Sequence, residues 1–202
     1  MKVKICGLNI TRDVQLCIDL KVNFLGFIFY KKSPRNIDLK DIADLSKFKK
    51  GNSSFVAVTV NPTDNFIKKN LIDNFDYIQL HGSETRERVE EIQNMGIKII
   101  KTIKIEKEED INKYKEFNNA DIILFDTPSM EKSLEFPKSL ITKLPLGEKY
   151  ALAGSISENN VENINKLGVN FFDLSSSLES ELGYKDHLKI KKFINKINGL
   201  KN

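Results

Sequence analysis

Eight short apolar segments, separated by longer polar and amphipathic stretches, run through this chain of 202 residues. Several segments are apolar at successive positions rather than at alternating ones, which is typical of parallel strands covered on both faces. The predicted strands cover residues 3–6, 24–29, 55–60, 77–80, 97–103, 122–125, 150–153 and 171–174. Eight strand-then-helix units with right-handed crossovers predict an α/β protein, a single compact (β/α)8 TIM barrel that forms one domain over residues 1–202.

An open, doubly wound sheet is the alternative that the same pattern allows. The first predicted strand is not followed by the G-x-G-x-x-G segment of dinucleotide-binding sheets. Eight repeated units also suit closure into a barrel better than an open sheet. We therefore favour the barrel.

Apolar residues at helical spacing occupy the stretches between the predicted strands. The most regular stripes are Val14, Cys17 and Ile18; Val89 and Ile92; Val161 and Ile164; and Ile190, Phe193, Ile194 and Ile197. Ser157 is the predicted N-cap of the helix that carries the third stripe. Gly96 and Gly168 are predicted to end helices. The helical pattern is weaker after the third and sixth strands.

Charge, hydropathy and cysteine content argue against several classes of protein. No apolar run reaches the roughly 18 residues that cross a bilayer, and the first ten residues are too polar for a secretory signal. The net charge of +4 comes from 32 basic and 28 acidic residues that interleave, which favours solvated helix faces over a nucleic-acid surface. Two cysteines cannot form a disulfide framework, so a reducing, cytoplasmic setting is expected. We expect neither a nucleic-acid nor a membrane partner.

Polar residues cluster where the predicted strands end, which is where a barrel of this kind carries its chemistry. The candidates are Cys6, Arg35, Gln79, His81, Asp126, Gly154, Ser155, Asp173, Ser175 and Ser176. Cys6 and Asp126 end the first and sixth strands, so they can face one another across the barrel mouth. The two histidines and two cysteines show no metal-ligand spacing, and no metal is predicted.

Each candidate residue could instead have a purely structural role. Cys6 is either a small buried apolar residue or a thiolate that acts as a base or nucleophile. Asp126 is either a turn residue or a carboxyl group that burial keeps protonated, able to act as a general acid. Arg35 is either solvated or a guanidinium fork for an anionic group. The serine-rich loops after strands seven and eight are either ordinary loops or a phosphate site.

The sequence resembles the phosphoribosylanthranilate isomerase family in stretches that keep the family's order and span nearly the whole chain. These stretches are KICGLN, NFLGFIFYKKSPRNI, FVAVTVN, YIQLHGSE, the Phe125-Asp126 pair, ALAGSISENNV and FFDLSSSLESELGYKDHLKIKKF. KICG, QLHG-x-E and the closing D-x-S-S-x-x-E…G-x-K-D block are specific in combination, although none of them would be sufficient alone.

The resemblance implies an Amadori rearrangement in tryptophan biosynthesis. N-(5-phosphoribosyl)anthranilate becomes an open-chain 1-deoxyribulose phosphate, without a cofactor. By the same resemblance Cys6 corresponds to the general base, Asp126 to the general acid, and Arg35 to the residue that faces the anthranilate carboxylate. The other matched positions are Asp173 for the sugar hydroxyls, Gln79 and His81 for the pocket wall, and Gly154, Ser155, Ser175 and Ser176 for the phosphate. The expected partner is this small phosphorylated substrate, bound by a monomer or a homodimer.

Three departures from the family pattern concern glycine. Relatives usually carry glycine where Ser155 and Ser177 stand, and a glycine-rich segment after the acid, where this chain has TPSMEKSLEFPKSL. Because glycine permits positive φ and close backbone approach, we expect these changes to alter phosphate binding.

Two other functions remain open. One is the related aminosugar isomerase of histidine biosynthesis, whose base is normally a carboxylate and whose substrate has two phosphates. The other is a barrel that binds phosphate ligands without catalysis.

Overall fold

A closed barrel of eight parallel strands organises the chain in a computed structural model, which describes residues 1–127 and 136–200. Neighbouring strands follow chain order, and the eighth strand closes the ring by pairing with the first. The barrel strands are β1 (Lys2–Cys6), β2 (Phe24–Phe29), β3 (Ser54–Thr59), β4 (Tyr77–Leu80), β5 (Lys98–Lys104), β6 (Ile122–Asp126), β7 (Tyr150–Leu152) and β8 (Phe171–Leu174). The predicted (β/α)8 fold is confirmed, and the open sheet is wrong.

The observed strands agree with the predicted ones to within one residue at every end, and β2, β4 and β8 coincide at both ends. The agreement has a physical cause. Each strand is covered on its outer face by helices and on its inner face by other strands, so apolar side chains mark its full length. Leu25, Ile78 and Phe172, for example, are fully buried.

Helices and 3₁₀ segments cover the outside of the barrel. The α-helices are α1 (Thr11–Asp19), α2 (Ile42–Leu45), α3 (Asp64–Asn70), α4 (Arg86–Gln93), α5 (Lys138–Ile141), α6 (Val161–Lys166) and α7 (His187–Gly199). The 3₁₀ segments are Leu39–Asp41, Glu108–Phe117 and Ser176–Leu178, and a small antiparallel pair, β9 (Glu179–Glu181) and β10 (Tyr184–Lys185), follows the last of them. Within the described part of the chain, no helix is long and apolar enough to cross a bilayer.

The helical stripes lie as predicted, with two differences in detail. All four stripe residues of α7 are buried, and the weak patterns after β3 and β6 correspond to short helices of seven and four residues. After β5, ten residues form a 3₁₀ segment rather than an α-helix. The predicted N-cap at Ser157 is wrong, because α6 begins at Val161 and Asn160 occupies the cap position. Gly96 and Gly168 follow α4 and α6 with φ of +90° and +95°, which confirms them as helix ends.

Apolar side chains close the amino-terminal end of the barrel interior. Phe24 stacks on Phe171 with ring centroids 5.0 Å apart, and Tyr77 meets Phe24 edge-on at 5.4 Å. Val56 and Ile100 fill the layer next to these rings. Because this end is plugged, the polar residues at the carboxyl ends of the strands border a cavity that opens to one side only.

Candidate active site

A cavity of approximately 990 Å³ opens at the carboxyl end of the barrel. All ten site residues predicted from the sequence line it: Cys6, Arg35, Gln79, His81, Asp126, Gly154, Ser155, Asp173, Ser175 and Ser176. They come from six different strands or the loops that follow them, and closure of the barrel brings them together.

Cys6 ends β1 and borders the cavity, with 7% of the residue exposed. Its register partner on β2 is Gly26, where a Cβ atom would come 3.0 Å from the Cys6 sulfur. The missing side chain of Gly26 therefore leaves the space that the thiol occupies. Burial raises the pKa of Cys6, and the negative charge of Asp173 raises it further, whereas the positive charges of Lys4 and Lys185 oppose this shift.

Lys4 is a residue of the site that the sequence reasoning missed. Its Nζ donates to both carboxylate oxygens of Asp173, at 3.0 and 2.9 Å, deep in the barrel. The two side chains are only 1% and 8% exposed. The signal was present in the sequence, because Lys4 stands two positions before Cys6 on one strand and so points to the same face.

Asp126 is the last residue of β6 and borders the cavity across from β1. Burial, together with the negative charge of Asp173, raises the pKa of Asp126 to about 7. His81 Nε2 lies 3.5 Å from Oδ2 of Asp126. Because burial lowers the pKa of His81 to about 4, its imidazole is uncharged at neutral pH and does not hold Asp126 in its ionised form. Asp126 is thus a carboxyl group able to donate a proton near pH 7.

Gln79 orients the imidazole next to Asp126. Its Nε2 lies 3.1 Å from Nδ1 of His81 and donates to Oγ1 of Thr102 at 3.1 Å. With the amide donating to Nδ1, the ring proton lies on Nε2, on the side of Asp126. Gln79 Oε1 is buried and has no hydrogen-bond partner among the described residues, so it can accept a hydrogen bond from a ligand.

Arg35 lies at the cavity wall in a fixed orientation. Its Nε and Nη2 donate to the two carboxylate oxygens of Glu179 at 2.5 and 2.7 Å. Burial alone would raise the pKa of Glu179, but Arg35 and Lys185 hold it at about 2. Gly7 packs beneath the arginine, because with φ of +77° a Cβ there would come 2.6 Å from Arg35 Cδ. Glu179 and Lys185 were not predicted as site residues, although both belong to the closing sequence block.

The loops after β7 and β8 border one side of the cavity. Gly154 has φ of +101° and Ser155 has φ of +47°, so Ser155 adopts a positive φ of the kind that favours glycine. Asn160 Nδ2 donates to the Ser155 carbonyl at 2.9 Å and supports this loop. Thr127 Oγ1 packs against Gly154, buried and without a hydrogen-bond partner in the described chain. The glycine-free segment that follows Thr127 lies largely outside the described residues.

The second cysteine and the second histidine lie outside this cavity. Cys17 is fully buried on α1, and burial raises its pKa to about 12. His187 Nε2 lies 2.7 Å from Asp13 Oδ1, between the starts of α7 and α1. Over residues 1–127 and 136–200, no group of three or more His, Cys, Asp and Glu side chains could hold a metal ion.

Comparisons with known proteins agree with the fold. Residues 3–196 match the family described as N-(5'phosphoribosyl)anthranilate (PRA) isomerase. The N-(5'-phosphoribosyl)anthranilate isomerase of Thermoanaerobacter pseudethanolicus is 34% identical to this chain. The alignment has 207 positions and covers the full length of both chains. The crystal structure of phosphoribosyl anthranilate isomerase from Thermotoga maritima superposes with a TM-score of 0.88 at 28% identity, covering 98% of this chain and 99% of that one.

A further solved phosphoribosyl anthranilate isomerase contains reduced 1-(o-carboxyphenylamino)-1-deoxyribulose 5-phosphate. It superposes with a TM-score of 0.83 at 27% identity and covers 98% of this chain and 99% of its own. A full-length match to the family, the identity above 30% and the shared barrel lead to one conclusion. The chain belongs to the phosphoribosylanthranilate isomerase family.

Proposed function

We propose that this chain converts N-(5'-phosphoribosyl)anthranilate into 1-(o-carboxyphenylamino)-1-deoxyribulose 5-phosphate, the aldose–ketose isomerisation of tryptophan biosynthesis. In this proposal Cys6 is the general base and Asp126 is the general acid. The observation that carries it is the placement of both groups in one cavity, with Asp126 titrating near neutral pH. The charges of Asp173 and Lys4 act on both groups, which supports their closeness.

The first step opens the sugar ring. Protonated Asp126 gives its proton to the ring oxygen, the bond from that oxygen to C1 breaks, and the nitrogen lone pair forms a C1=N iminium bond. A carboxyl group with a pKa of about 7 is protonated in half of the molecules at pH 7, so it can act as the acid without a large penalty.

The second step moves hydrogen from C2 to C1. The iminium nitrogen acidifies the C2 hydrogen, and the Cys6 thiolate removes it. The C–H electron pair forms a C1=C2 bond and the C1=N pair returns to nitrogen, which leaves an enolamine. The Cys6 thiol then returns its proton to C1, and the enol proton passes to the Asp126 carboxylate, which gives the ketone and restores both groups. A thiolate is adequate for this transfer because the positive nitrogen has already weakened the C–H bond.

The remaining residues bind and orient the substrate. Arg35, already held by Glu179, faces the anthranilate carboxylate, and Asp173 contacts the sugar hydroxyls. Gln79 and His81 line the pocket, and the phosphate binds at Gly154, Ser155, Ser175 and Ser176. Phosphate binding far from the reacting bonds supplies energy that positions C1 and C2 between acid and base.

We propose that the single barrel acts in the cytoplasm as a monomer or a homodimer. Both described cysteines are free, which fits a reducing setting.

The decisive experiment follows anthranilate fluorescence while the purified chain consumes freshly made N-(5'-phosphoribosyl)anthranilate. Conversion to the deoxyribulose product supports the proposal. The bisphosphorylated aminosugar substrate of histidine biosynthesis is assayed in parallel. Turnover of that compound alone would assign the chain to the other isomerase. Binding of a reduced product analogue without any turnover would show a barrel that only binds its ligand.

Replacing Gly154 with alanine tests the phosphate loop. At φ of +101° an alanine is strained, and its Cβ would come 2.5 Å from Thr127 Oγ1, so the loop or the Thr127 side chain must shift. Since the loop binds only the remote phosphate in the proposal, we expect KM to rise by about tenfold or more and kcat to change by less than about threefold. Inhibition by inorganic phosphate should weaken in parallel.

Gly96→Ala is the matched control for this change. Gly96 has a similar φ of +90°, a Cβ placed there would have no described atom within 4 Å, and the residue follows α4 away from the cavity. It therefore carries a comparable backbone strain without a contact to the loop. An unchanged KM in Gly154→Ala, or an equal rise in both variants, would contradict the assignment of the phosphate site.

A further inference from the structure

Lys4 is buried inside the barrel, where a lysine is costly unless its charge is used. The side chain is 1% exposed, whereas the neighbouring interior positions carry Phe24, Val56 and Phe171. The proposed reaction assigns it no role. A lysine that only filled space could be replaced by an apolar residue without loss, so its position next to the base needs an explanation.

The charge of this lysine is retained on folding. Burial acts to lower the pKa of Lys4, but the negative charge of Asp173 and the neighbouring Cys6 offset this, and the pKa is raised. Asp173 also accepts two hydrogen bonds from the ammonium group, which fix Nζ in one place. A cation is thus held in the interior at all pH values at which the enzyme is expected to work.

The position of this cation is set by Gly26. A Cβ placed on Gly26 would come 3.2 Å from Lys4 Nζ and 3.0 Å from the sulfur of Cys6. The ammonium group and the thiol therefore both border the space that the missing side chain of Gly26 leaves. Because Lys4 and Cys6 are two residues apart on β1, this closeness is built into the strand itself.

Other charged groups also face the thiol, and their charges are already engaged. Lys185 Nζ donates to Glu179 Oε1 and to the Ser175 carbonyl, each at 3.0 Å. Arg35 is bound by Glu179 through two hydrogen bonds. Asp173 faces Cys6 with a negative charge, which opposes formation of a thiolate. Of the two cations that favour the thiolate, Lys4 acts more strongly than Lys185.

We propose that Lys4 is a positioning residue that stabilises the Cys6 thiolate, with Asp173 holding its ammonium group against the sulfur. This proposal rests on the assignment of Cys6 as the base. It gives Asp173 two opposing effects, since its carboxylate anchors the cation but also repels the thiolate. Removal of Lys4 is therefore the direct test, and it should slow the reaction of Cys6.

The test measures the rate of Cys6 alkylation by iodoacetamide between pH 6 and pH 10, in a Cys17→Ala background that leaves one thiol. Since only the thiolate reacts, the rate follows ionisation. We expect Lys4→Met to slow alkylation at pH 7.5 by about tenfold or more and to move the profile to higher pH. Lys4→Arg, which keeps the charge, should restore most of the rate.

Lys101→Met is the matched control, because Lys101 is a second buried lysine, paired with Glu84 at 2.7 Å with side chains 4% and 1% exposed. It should lose stability without moving the alkylation profile of Cys6. Equal profiles for wild type and Lys4→Met, or the same shift in Lys101→Met, would overturn the proposal. If Lys4→Met does not fold, Lys4→Gln decides: slower alkylation than in the wild type supports the proposal, and an unchanged rate overturns it.

Alkylation is measured without substrate, so the result is independent of turnover. A wild-type chain that alkylates as expected but does not isomerise N-(5'-phosphoribosyl)anthranilate contradicts the proposed function and leaves the coupling of Lys4 and Cys6 intact. A wild-type chain that isomerises this substrate, with alkylation indifferent to Lys4, contradicts only the role of Lys4.

Discussion

Cys6→Ser is expected to lower kcat for N-(5'-phosphoribosyl)anthranilate by about a thousandfold, the range that general base catalysis contributes. Serine has nearly the same shape, so it should fit the space over Gly26 without moving β1. Its hydroxyl group is a far weaker acid than a thiol, so no useful fraction of alkoxide forms, even beside Lys4. Substrate binding does not depend on the sulfur, and KM should change by less than about threefold.

Cys17→Ser is the control for this prediction. Cys17 is fully buried on α1, away from the cavity, and burial raises its pKa to about 12. A hydroxyl group there costs folding stability but touches no group of the site. Its kcat should therefore stay within about twofold of wild type in the fluorescence assay. A Cys6→Ser enzyme that retains most of its kcat, or a Cys17→Ser enzyme that loses it, would refute the assignment of the base.

The fold could be predicted because its signal is local. Eight apolar runs gave strand ends correct to within one residue, since each strand is buried on both faces. What is not local could not be predicted in detail. The ten-residue 3₁₀ segment after β5 and the cap at Asn160 depend on how each segment packs against the finished barrel. Ser157 looked like a cap because serine favours that position, but it precedes the helix by a turn.

The site residues could also be predicted from local sequence, whereas their contacts with distant residues could not. The residue types at the strand ends, and the family resemblance, pointed to ten residues, all of which line the cavity. The partners of those residues were not visible, because Lys4 with Asp173 and Arg35 with Glu179 join opposite ends of the chain. Their pKa values depend on burial that exists only after closure. Lys4 itself was within reach of sequence reasoning, as a lysine on the inward face of an apolar strand.

Burial sets opposite demands on the proposed acid and base. It raises the pKa of both Asp126 and Cys6, which helps an acid that must be protonated and hinders a base that must be ionised. A cation near both groups cannot favour each of them. Lys4 Nζ and the Cys6 sulfur both lie close to Gly26, while the pKa of Asp126 remains at about 7 despite the charge of Lys4. The pKa of each group is nonetheless raised, and Lys4 opposes the shift of both.

Asp126→Asn is expected to lower kcat by about a hundredfold to ten-thousandfold, because an amide cannot protonate the ring oxygen. The wild-type pH profile gives a second sign of the same role. Only protonated Asp126 can donate and only ionised Cys6 can accept, so kcat/KM should rise with pH and level off above about 7, where loss of the Asp126 proton cancels the gain in thiolate. In Asp126→Asn the residual activity should keep rising with pH through 7 without levelling off.

Asp126→Asn should also increase the free energy of unfolding at high pH. A loss of activity in this variant can then be assigned to the missing acid and not to unfolding. The folded pKa of about 7 lies above the unfolded value of 3.8, so the folded chain binds the proton more tightly between these pH values. The unfolding free energy of the wild type therefore decreases as pH rises from 4 to 7, by up to about 4 kcal/mol. Asparagine lacks this dependence. Urea unfolding at pH 5 and pH 8 measures the free energy of unfolding of both proteins. Relative to the wild type, Asp126→Asn should be more stable at pH 8 than at pH 5. An equal difference in unfolding free energy at both pH values would contradict the raised pKa on which the acid role depends.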